Sequence, residues 1–80
     1  MRADDHLPNL LQQERWAVGS RLRSLRRERG LSQVQLQALS GVDNKTISRV
    51  ENGHRNVGLD ELVRLSLALG VPTWRLLRDP

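Results

Sequence analysis

The sequence predicts an all-α fold, a compact bundle of five short helices preceded by an N-terminal arm or helical extension. Apolar residues recur at helical spacing from Asn9 to Arg29 and again from Leu59 to Leu69. No window alternates apolar and polar residues as a half-buried strand would. Three glycines follow the predicted ends of helices, where a left-handed residue commonly closes the last turn: Gly30, Gly53 and Gly70.

Length and composition limit the chain to one small folded domain. Its 80 residues allow one modest core, and 38% hydrophobic with 28% charged residues is unlike a disordered tail. The absence of cysteine excludes a disulfide scaffold and cysteine-metal sites, and it fits a reducing compartment. The sequence shows no signal-peptide pattern and no run of about 20 apolar residues. We therefore expect a cytoplasmic protein without a membrane partner.

The formal net charge is +4, and nearly all of the base is arginine. Such a balance is typical of a protein with a polyanionic partner, but it is also compatible with an ordinary soluble basic protein. The position of the charges has to decide between these alternatives.

The first helix is predicted from Asn9 to Arg29, because Pro8 excludes helix before it and leaves residues 1–8 loose. Gly19 is expected to weaken or divide this segment. One apolar stripe runs along it: Leu11, Val18, Leu22 and Leu25.

The second helix opens at Ser32, which forms a predicted capping box with Gln35, and it runs to about Leu39. A tight turn at Gly41 follows. Asp43 is predicted to cap the third helix.

A fourth helix is predicted from Leu59 to Leu69, with acidic residues in its first turn and a glycine after its end. Pro72 then opens a short fifth helix that reaches about Arg78.

The third helix is unusually polar for so small a protein. At about 100° per residue, only Ile47 and Val50 form its apolar stripe, and Glu51 lies on the same side. Asn44 lies at the flank. The opposite side carries hydrogen-bond donors: Lys45, Ser48, Arg49 and Asn52. A helix of this kind can enter the DNA major groove, where Lys or Arg suits guanine and Asn suits adenine.

Two opposite charges fall on faces that should be buried. Glu51 lies beside the apolar stripe of the third helix, and Arg26 lies beside that of the first. They predict one partly buried ion pair, unless both side chains extend past the apolar surface to reach water. The pattern alone does not choose.

The stretches "LRSLRRERGLSQVQLQALSGVDNKTISRVENG" and "LDELVRLSLALGV" resemble the Cro/C1-type (XRE) helix-turn-helix domain. The resemblance covers about Val18 to Leu77. It implies a lambda-repressor-like domain over residues 16–80, with residues 1–15 as the arm or extension. It also implies a sequence-specific regulator that reads double-stranded DNA with the helix at 43–52.

The resemblance assigns roles by position. The residues implied in base reading are Asn44, Lys45, Ser48 and Arg49. Those implied in phosphate contact are Gln33, Thr46, Asn52 and Arg55. Arg26 and Glu51 match a buried ion pair of some members. Three arginines near Arg26 are expected to be solubilising surface residues: Arg23, Arg27 and Arg29.

The chain departs from the family pattern in two places. Gln37 occupies a position that is usually small, so its amide must turn outward or find a partner. Leu67 and Trp74 occupy positions that are commonly polar, and Val63 lies beside Leu67. These three apolar residues either add packing between the fourth and fifth helices or form a patch for a homodimer on a two-fold DNA site.

An enzyme is not expected, because His6 and His54 are far apart and neither a metal-ligand spacing nor a nucleophile with a neighbouring base occurs. We expect no cofactor and no small-molecule effector domain. Two alternatives remain: an antitoxin or other interaction module with secondary DNA binding, and a controller protein of a restriction–modification system. Action as a repressor or as an activator depends on where the site lies relative to the promoter.

Overall fold

The computed structural model describes residues 3–80, so Met1 and Arg2 of the expected arm lie outside the described residues. Between Ala3 and Pro80 the chain is helical and contains no strand. The elements are a 3-10 turn at Ala3–His6, α1 at Leu7–Glu28, α2 at Gln33–Ser40, α3 at Asn44–Glu51, α4 at Leu59–Leu69, and a 3-10 turn at Thr73–Leu76. No helix in this described range is long and apolar enough to cross a membrane.

The expected fifth α-helix is wrong, because the described chain forms four α-helices and ends with a single 3-10 turn at Thr73–Leu76. A helix this short does not recover the entropy of fixing its first turn. Only Leu76 of the turn is buried in the core. The segment therefore folds by packing one side chain, and it forms the tighter turn that short connections often adopt.

The first helix begins earlier than the sequence indicated. Pro8 is the second residue of α1, where it leaves no hydrogen bond unmade, and a 3-10 turn precedes it. Residues 7–15 are thus the first turns of one continuous helix of 22 residues.

Gly19 does not divide α1 but allows α3 to approach it. Gly19 is buried, and a Cβ placed there would overlap the carbonyl oxygen of Val50 and lie 2.9 Å from that of Glu51. Only glycine fits where two backbones come this close. This crossing fixes the C-terminal end of α3 against the middle of α1.

The core is built from apolar residues of every helix. Leu22, Leu36 and Ile47 are fully buried at its centre. The remaining core members are Val18, Leu25, Val42, Val50, Leu62, Leu65, Leu69 and Leu76. Burying one such side chain stabilises a fold by about 1.5–3 kcal/mol, so this small set holds all four helices together.

The predicted capping box at the start of α2 is confirmed. The backbone N–H of Gln35 donates to Ser32 Oγ at 3.0 Å, and the Ser32 N–H donates to Gln35 Oε1 at 2.8 Å. At the other end of α2, Gly41 adopts a φ of 76°, which favours glycine. The turn to α3 begins there.

The start of α3 is capped differently from the prediction. Asp43 holds the N-cap position, but within the described chain its side chain makes no capping hydrogen bond. Instead, Gln37 Oε1 accepts the backbone N–H of Asn44 at 2.7 Å. The oversized residue of α2 has found a partner in one of the amide groups that the first turn leaves unpaired.

Candidate nucleic-acid interface

α3 is held by one side and open on the other. Ile47 and Val50 are buried, and Glu51 is buried beside them. Lys45 and Arg49 are exposed on the opposite side, and no residue of the described chain pairs with either cation. The helix therefore presents two positive side chains outward from a fixed backbone.

The other two residues predicted to read bases lie on the same helix but are half-buried. Asn44 is the first residue of α3, and Ser48 lies one turn later. Together with Lys45 and Arg49 they offer amide, hydroxyl and cationic donors along about two turns. This set matches the acceptors that base edges present in the major groove.

Arg26 and Glu51 form a bidentate ion pair between α1 and the end of α3. Arg26 Nε donates to Glu51 Oε2 at 2.7 Å, and Nη2 donates to Oε1 at 2.8 Å. The exposed fractions of the two side chains are only 10% and 0%. Arg26 Nη1 also donates to the Leu31 carbonyl at 2.8 Å, so the pair reaches the loop before α2.

This environment stabilises the charged form of both partners. Burial alone would raise the pKa of Glu51, but hydrogen bonds from Arg26, Gln33 and Arg23, together with the charge of Arg26, outweigh it. The pKa of Glu51 therefore lies below its usual value. The hydrogen bond to Glu51 likewise raises the pKa of Arg26, so the pair stays ionised at neutral pH.

Two of the residues predicted to contact phosphate are linked to this cluster, Gln33 directly through Glu51 and Asn52 through Arg23. Gln33 Nε2 donates to Glu51 Oε1 at 3.3 Å. Asn52 Oδ1 accepts a hydrogen bond from Arg23 Nη2 at 2.9 Å. The structure thus brings the first residue of α2 and the residue after α3 to one end of the motif.

The other two predicted phosphate contacts lie apart from this cluster. Thr46 is half-buried in α3. Arg55, in the loop before α4, donates from Nη1 to Glu61 Oε1 at 2.8 Å, and the Gly58 N–H donates to the same oxygen at 3.0 Å. The hydrogen bond from Arg55 lowers the pKa of Glu61, with a further lowering from Gly58. Arg55 is therefore anchored to the first turn of α4.

Comparison with known proteins identifies the arrangement. A family model described as "Helix-turn-helix" matches residues 22–73, which contain α2, the Gly41 turn and α3. The chain belongs to the Cro/C1-type (XRE) helix-turn-helix family. It is a DNA-binding protein of the transcription-regulator class, as the sequence predicted.

Individual relatives cover most of this helix-turn-helix protein. The uncharacterised HTH-type transcriptional regulator y4dJ of Sinorhizobium fredii is 44% identical over 54 residues, which are 68% of this chain and 70% of that protein. The control protein C.MunI of Mycoplasma sp is 39% identical over 62 residues, or 76% and 84% of the two chains.

A solved structure shares the fold of this helix-turn-helix protein. The restriction–modification controller protein C.AhdI from Aeromonas hydrophila superposes with a TM-score of 0.77 at 41% identity. The match covers 80% of this chain and 97% of the controller protein.

Sequence reasoning missed two side chains of α1 that contact the C-terminal end of α3 in this helix-turn-helix protein. Arg23 was expected to be only a solubilising residue, yet it contacts both Glu51 and Asn52. Its spacing of three residues before Arg26 places the two on neighbouring positions of α1, but this spacing does not say that Arg23 reaches Asn52. Gln12 was also missed, and its Nε2 donates to the Gly53 carbonyl at 2.8 Å.

The apolar residues predicted as a patch are on the surface. Val63, Leu67 and Trp74 are 48%, 79% and 43% exposed. Leu67 therefore does not fill space between α4 and the last turn. The guanidinium of Arg78 lies 5.3 Å from the centre of the Trp74 ring. These three exposed apolar side chains are together called the α4 patch below.

Proposed function

We propose that this protein regulates transcription as a homodimer that inserts α3 of each subunit into the major groove of a two-fold DNA site. The observation that carries the proposal is the exposure of Lys45 and Arg49 opposite the buried Ile47 and Val50. The function is that of a binding protein and not of an enzyme. It would act where the DNA is, in keeping with the cytoplasmic location expected from the sequence.

In the proposed complex the side chains of α3 have separate tasks. Lys45 and Arg49 would donate to guanine, and Asn44 to adenine, while Ser48 would contact a base or a phosphate. Phosphate contacts would come from four residues around this helix: Gln33, Thr46, Asn52 and Arg55. Contacts to phosphate fix the position of the domain, whereas contacts to base edges specify the sequence.

Selection of bound fragments from a random DNA pool tests this function directly. We expect an enriched sequence with two-fold symmetry and half-sites about 34–36 Å apart, or a multiple of that spacing. Recovery of no preferred sequence would contradict the proposal. An enriched site without symmetry would remove the dimer from it.

Alanine substitutions separate base reading from phosphate binding. Arg49→Ala or Lys45→Ala should weaken the preferred site by about 1–3 kcal/mol and relax the preference at one base position. Arg55→Ala should weaken all sequences alike and lower the salt dependence of binding. If Arg49→Ala weakens random DNA as much as the preferred site, Arg49 does not read a base.

The α4 patch supports the proposed dimer. Clusters of exposed apolar side chains on small proteins commonly mark interaction sites. A second copy of the chain is the partner we propose, because one α3 makes few base contacts and a two-fold pair would double them.

Within this function, control of restriction–modification genes is a specific candidate. It is favoured by the extent of the similarity, since the matches cover 84% of C.MunI and 97% of C.AhdI and are not confined to a shared segment. Binding to DNA upstream of a restriction or methyltransferase gene would support it. An antitoxin would instead bind DNA only weakly in the absence of its protein partner, so DNA binding by the purified chain decides between the two.

A further inference from the structure

Arg23 lies between two of the residues assigned to phosphate. Its Nη2 donates to Asn52 Oδ1 at 2.9 Å and to the Glu51 carbonyl at 3.5 Å, and its Nε donates to Glu51 Oε1 at 3.4 Å. Gln33 donates to the same Oε1 at 3.3 Å. Donors from α1 and α2 thus meet at one oxygen beside the end of α3.

Arg23 is not needed to neutralise Glu51. Arg26 already forms two hydrogen bonds of 2.7 and 2.8 Å with the carboxylate, whereas the Arg23 contact is longer. The charge of Glu51 is matched by Arg26, and Arg23 adds one positive charge to the cluster. The Arg23 side chain is 38% exposed, so this charge is accessible from the surface.

Arg23 also fixes which way the Asn52 amide points. A guanidinium can only donate hydrogen bonds, so the amide oxygen of Asn52 must face it. The amide nitrogen then points away from Arg23, and Asn52 is exposed. The contact with Arg23 therefore directs the amide N–H groups of Asn52 toward the protein surface.

We propose that Arg23, Gln33 and Asn52 together form a binding site for a single phosphate of the DNA backbone, with Arg23 as its charged member. The inference rests on the proposed DNA-binding function and deepens it. α1 supplies the guanidinium, α2 supplies the Gln33 amide, and the residue after α3 supplies the Asn52 amide. A phosphate bound there fixes the angle at which α3 enters the groove.

The salt dependence of DNA binding tests the charge. Each phosphate that the protein neutralises makes the negative slope of log affinity against log salt concentration steeper by about 0.9. In the proposed dimer Arg23→Gln removes two such contacts, one in each subunit, so the magnitude of the slope should fall by about 1.8. Binding to preferred and to random DNA should weaken alike. Arg27→Gln removes the same charge from an exposed position of α1 and is the matched control. A wild-type slope in Arg23→Gln, or an equal fall in Arg27→Gln, would overturn the proposal.

A thermal melt shows whether Arg23→Gln is folded, and Arg23→Lys provides a second variant. Lysine keeps the charge but lacks the planar fork, so it should keep the slope and lose affinity through Asn52. If Arg23→Lys loses the slope as well while remaining folded, Arg23 acts only through the protein structure and the site is wrong.

Neutral methylphosphonate groups placed one at a time in the DNA test whether the three residues share one phosphate. At one position, the methylphosphonate should lower the DNA affinity of the wild type. On DNA modified at that position, Arg23→Gln, Gln33→Ala and Asn52→Ala should cause no further loss of affinity. Three different positions would refute a joint site. If the wild type binds no DNA, the proposed function fails, whereas binding with an unaltered Arg23→Gln slope rejects only this site.

Discussion

At the scale of single residues, the buried pair of Arg26 and Glu51 joins α1 to the C-terminal end of α3. Glu51 is the last residue of α3, and its carboxylate has no access to water. Removing one partner of a buried pair leaves an uncompensated charge, which costs about 3–5 kcal/mol. The pair therefore couples the stability of the fold to the position of the reading helix.

Arg26→Ala should lower the free energy of unfolding by about 3–5 kcal/mol, which is enough to unfold many domains of this size. Urea denaturation followed by circular dichroism measures the loss. Arg27→Ala, one residue along and exposed, should change stability by less than about 0.5 kcal/mol. An unchanged midpoint for Arg26→Ala would show that the pair contributes nothing to stability.

Stability should also depend on acid through Glu51. Because the folded-state pKa of Glu51 is lowered, its contribution is complete above the unfolded-state pKa of about 4.3. That contribution is lost as the pH falls through the lower folded-state pKa. Urea midpoints of the wild type and Glu51→Gln, measured from neutral to strongly acidic pH, should converge in acid. Because the pKa of Glu61 is also lowered, Glu61→Gln serves to measure its separate contribution. A difference between the wild-type and Glu51→Gln midpoints that stays constant with pH would contradict the role of Glu51.

The helical pattern placed Arg26 and Glu51 on faces that should be buried but left open whether they pair, and the resemblance to the family favoured the pair. Neither predicted the contacts of their neighbours. Both residues fall on faces that have to be buried, and two buried charges of opposite sign need each other. Arg23 lies at the edge of its helix, where spacing does not say which neighbouring element it will meet. Its contact with Asn52 depends on how α1 crosses α3, and one helix pattern does not contain that angle.

At the scale of elements, Gln37 carries the function that the sequence assigned to Asp43. Its amide oxygen accepts the Asn44 N–H and so joins α2 to the first turn of α3. A cap supplied by the preceding helix orients the reading helix relative to its support. The cap of α3 is therefore also a contact between the two helices of the motif.

Gln37→Ala should lower the free energy of unfolding by about 0.5–2 kcal/mol, the usual effect of losing an N-cap hydrogen bond. Asp43→Ala should cost less, because only the favourable placement of its charge near the helix N-terminus is lost. Denaturation of both variants in parallel gives the comparison. A larger loss for Asp43→Ala would show that Asp43 is the true cap in solution.

Helical periodicity predicted α1 to α4 well because each has an apolar stripe and a clear stop. The last segment was predicted as a helix because Pro72 resembles a helix start, but it forms a single 3-10 turn. Nothing in the local sequence showed that only one turn would pack against the core. Gly19 was expected to weaken α1, but a glycine is needed there because the backbone of α3 passes too close for a side chain. Local signals do not report such long-range contacts.

At the scale of the whole molecule, the sequence left open whether certain apolar residues pack within the domain or stay exposed for a partner. The sequence raised this question for the residues of the α4 patch and for the first turns of α1, where Leu7, Leu10 and Leu11 are exposed. Large apolar side chains are also exposed elsewhere, among them Val34 and Leu39 on α2 and Leu59 at the start of α4. The sequence did not decide whether the α4 patch and the first turns of α1 are buried, because burial depends on which other elements pack against them. For Leu67, nothing in the described chain does.

Trp74→Glu should convert the proposed dimer into a monomer and lower affinity for a two-fold site. Introducing a charge into an apolar contact removes its driving force and leaves the charge without a partner. Sedimentation equilibrium over a range of concentrations measures the mass. Leu10→Glu places the same charge on exposed apolar surface of α1 and should leave the proposed dimer intact. A monomeric wild type, or dissociation by Leu10→Glu alone, would exclude the α4 patch.

The packing of Trp16 over Gly53 gives the protein a built-in optical reporter. The Trp16 ring lies against the glycine that follows Asn52, whereas Trp74, the other tryptophan, lies on the α4 patch. With Trp74→Phe, emission would come from the end of the reading helix alone. With Trp16→Phe, emission would come from the α4 patch alone. Binding to DNA and the proposed pairing of subunits could then be followed separately without an attached dye.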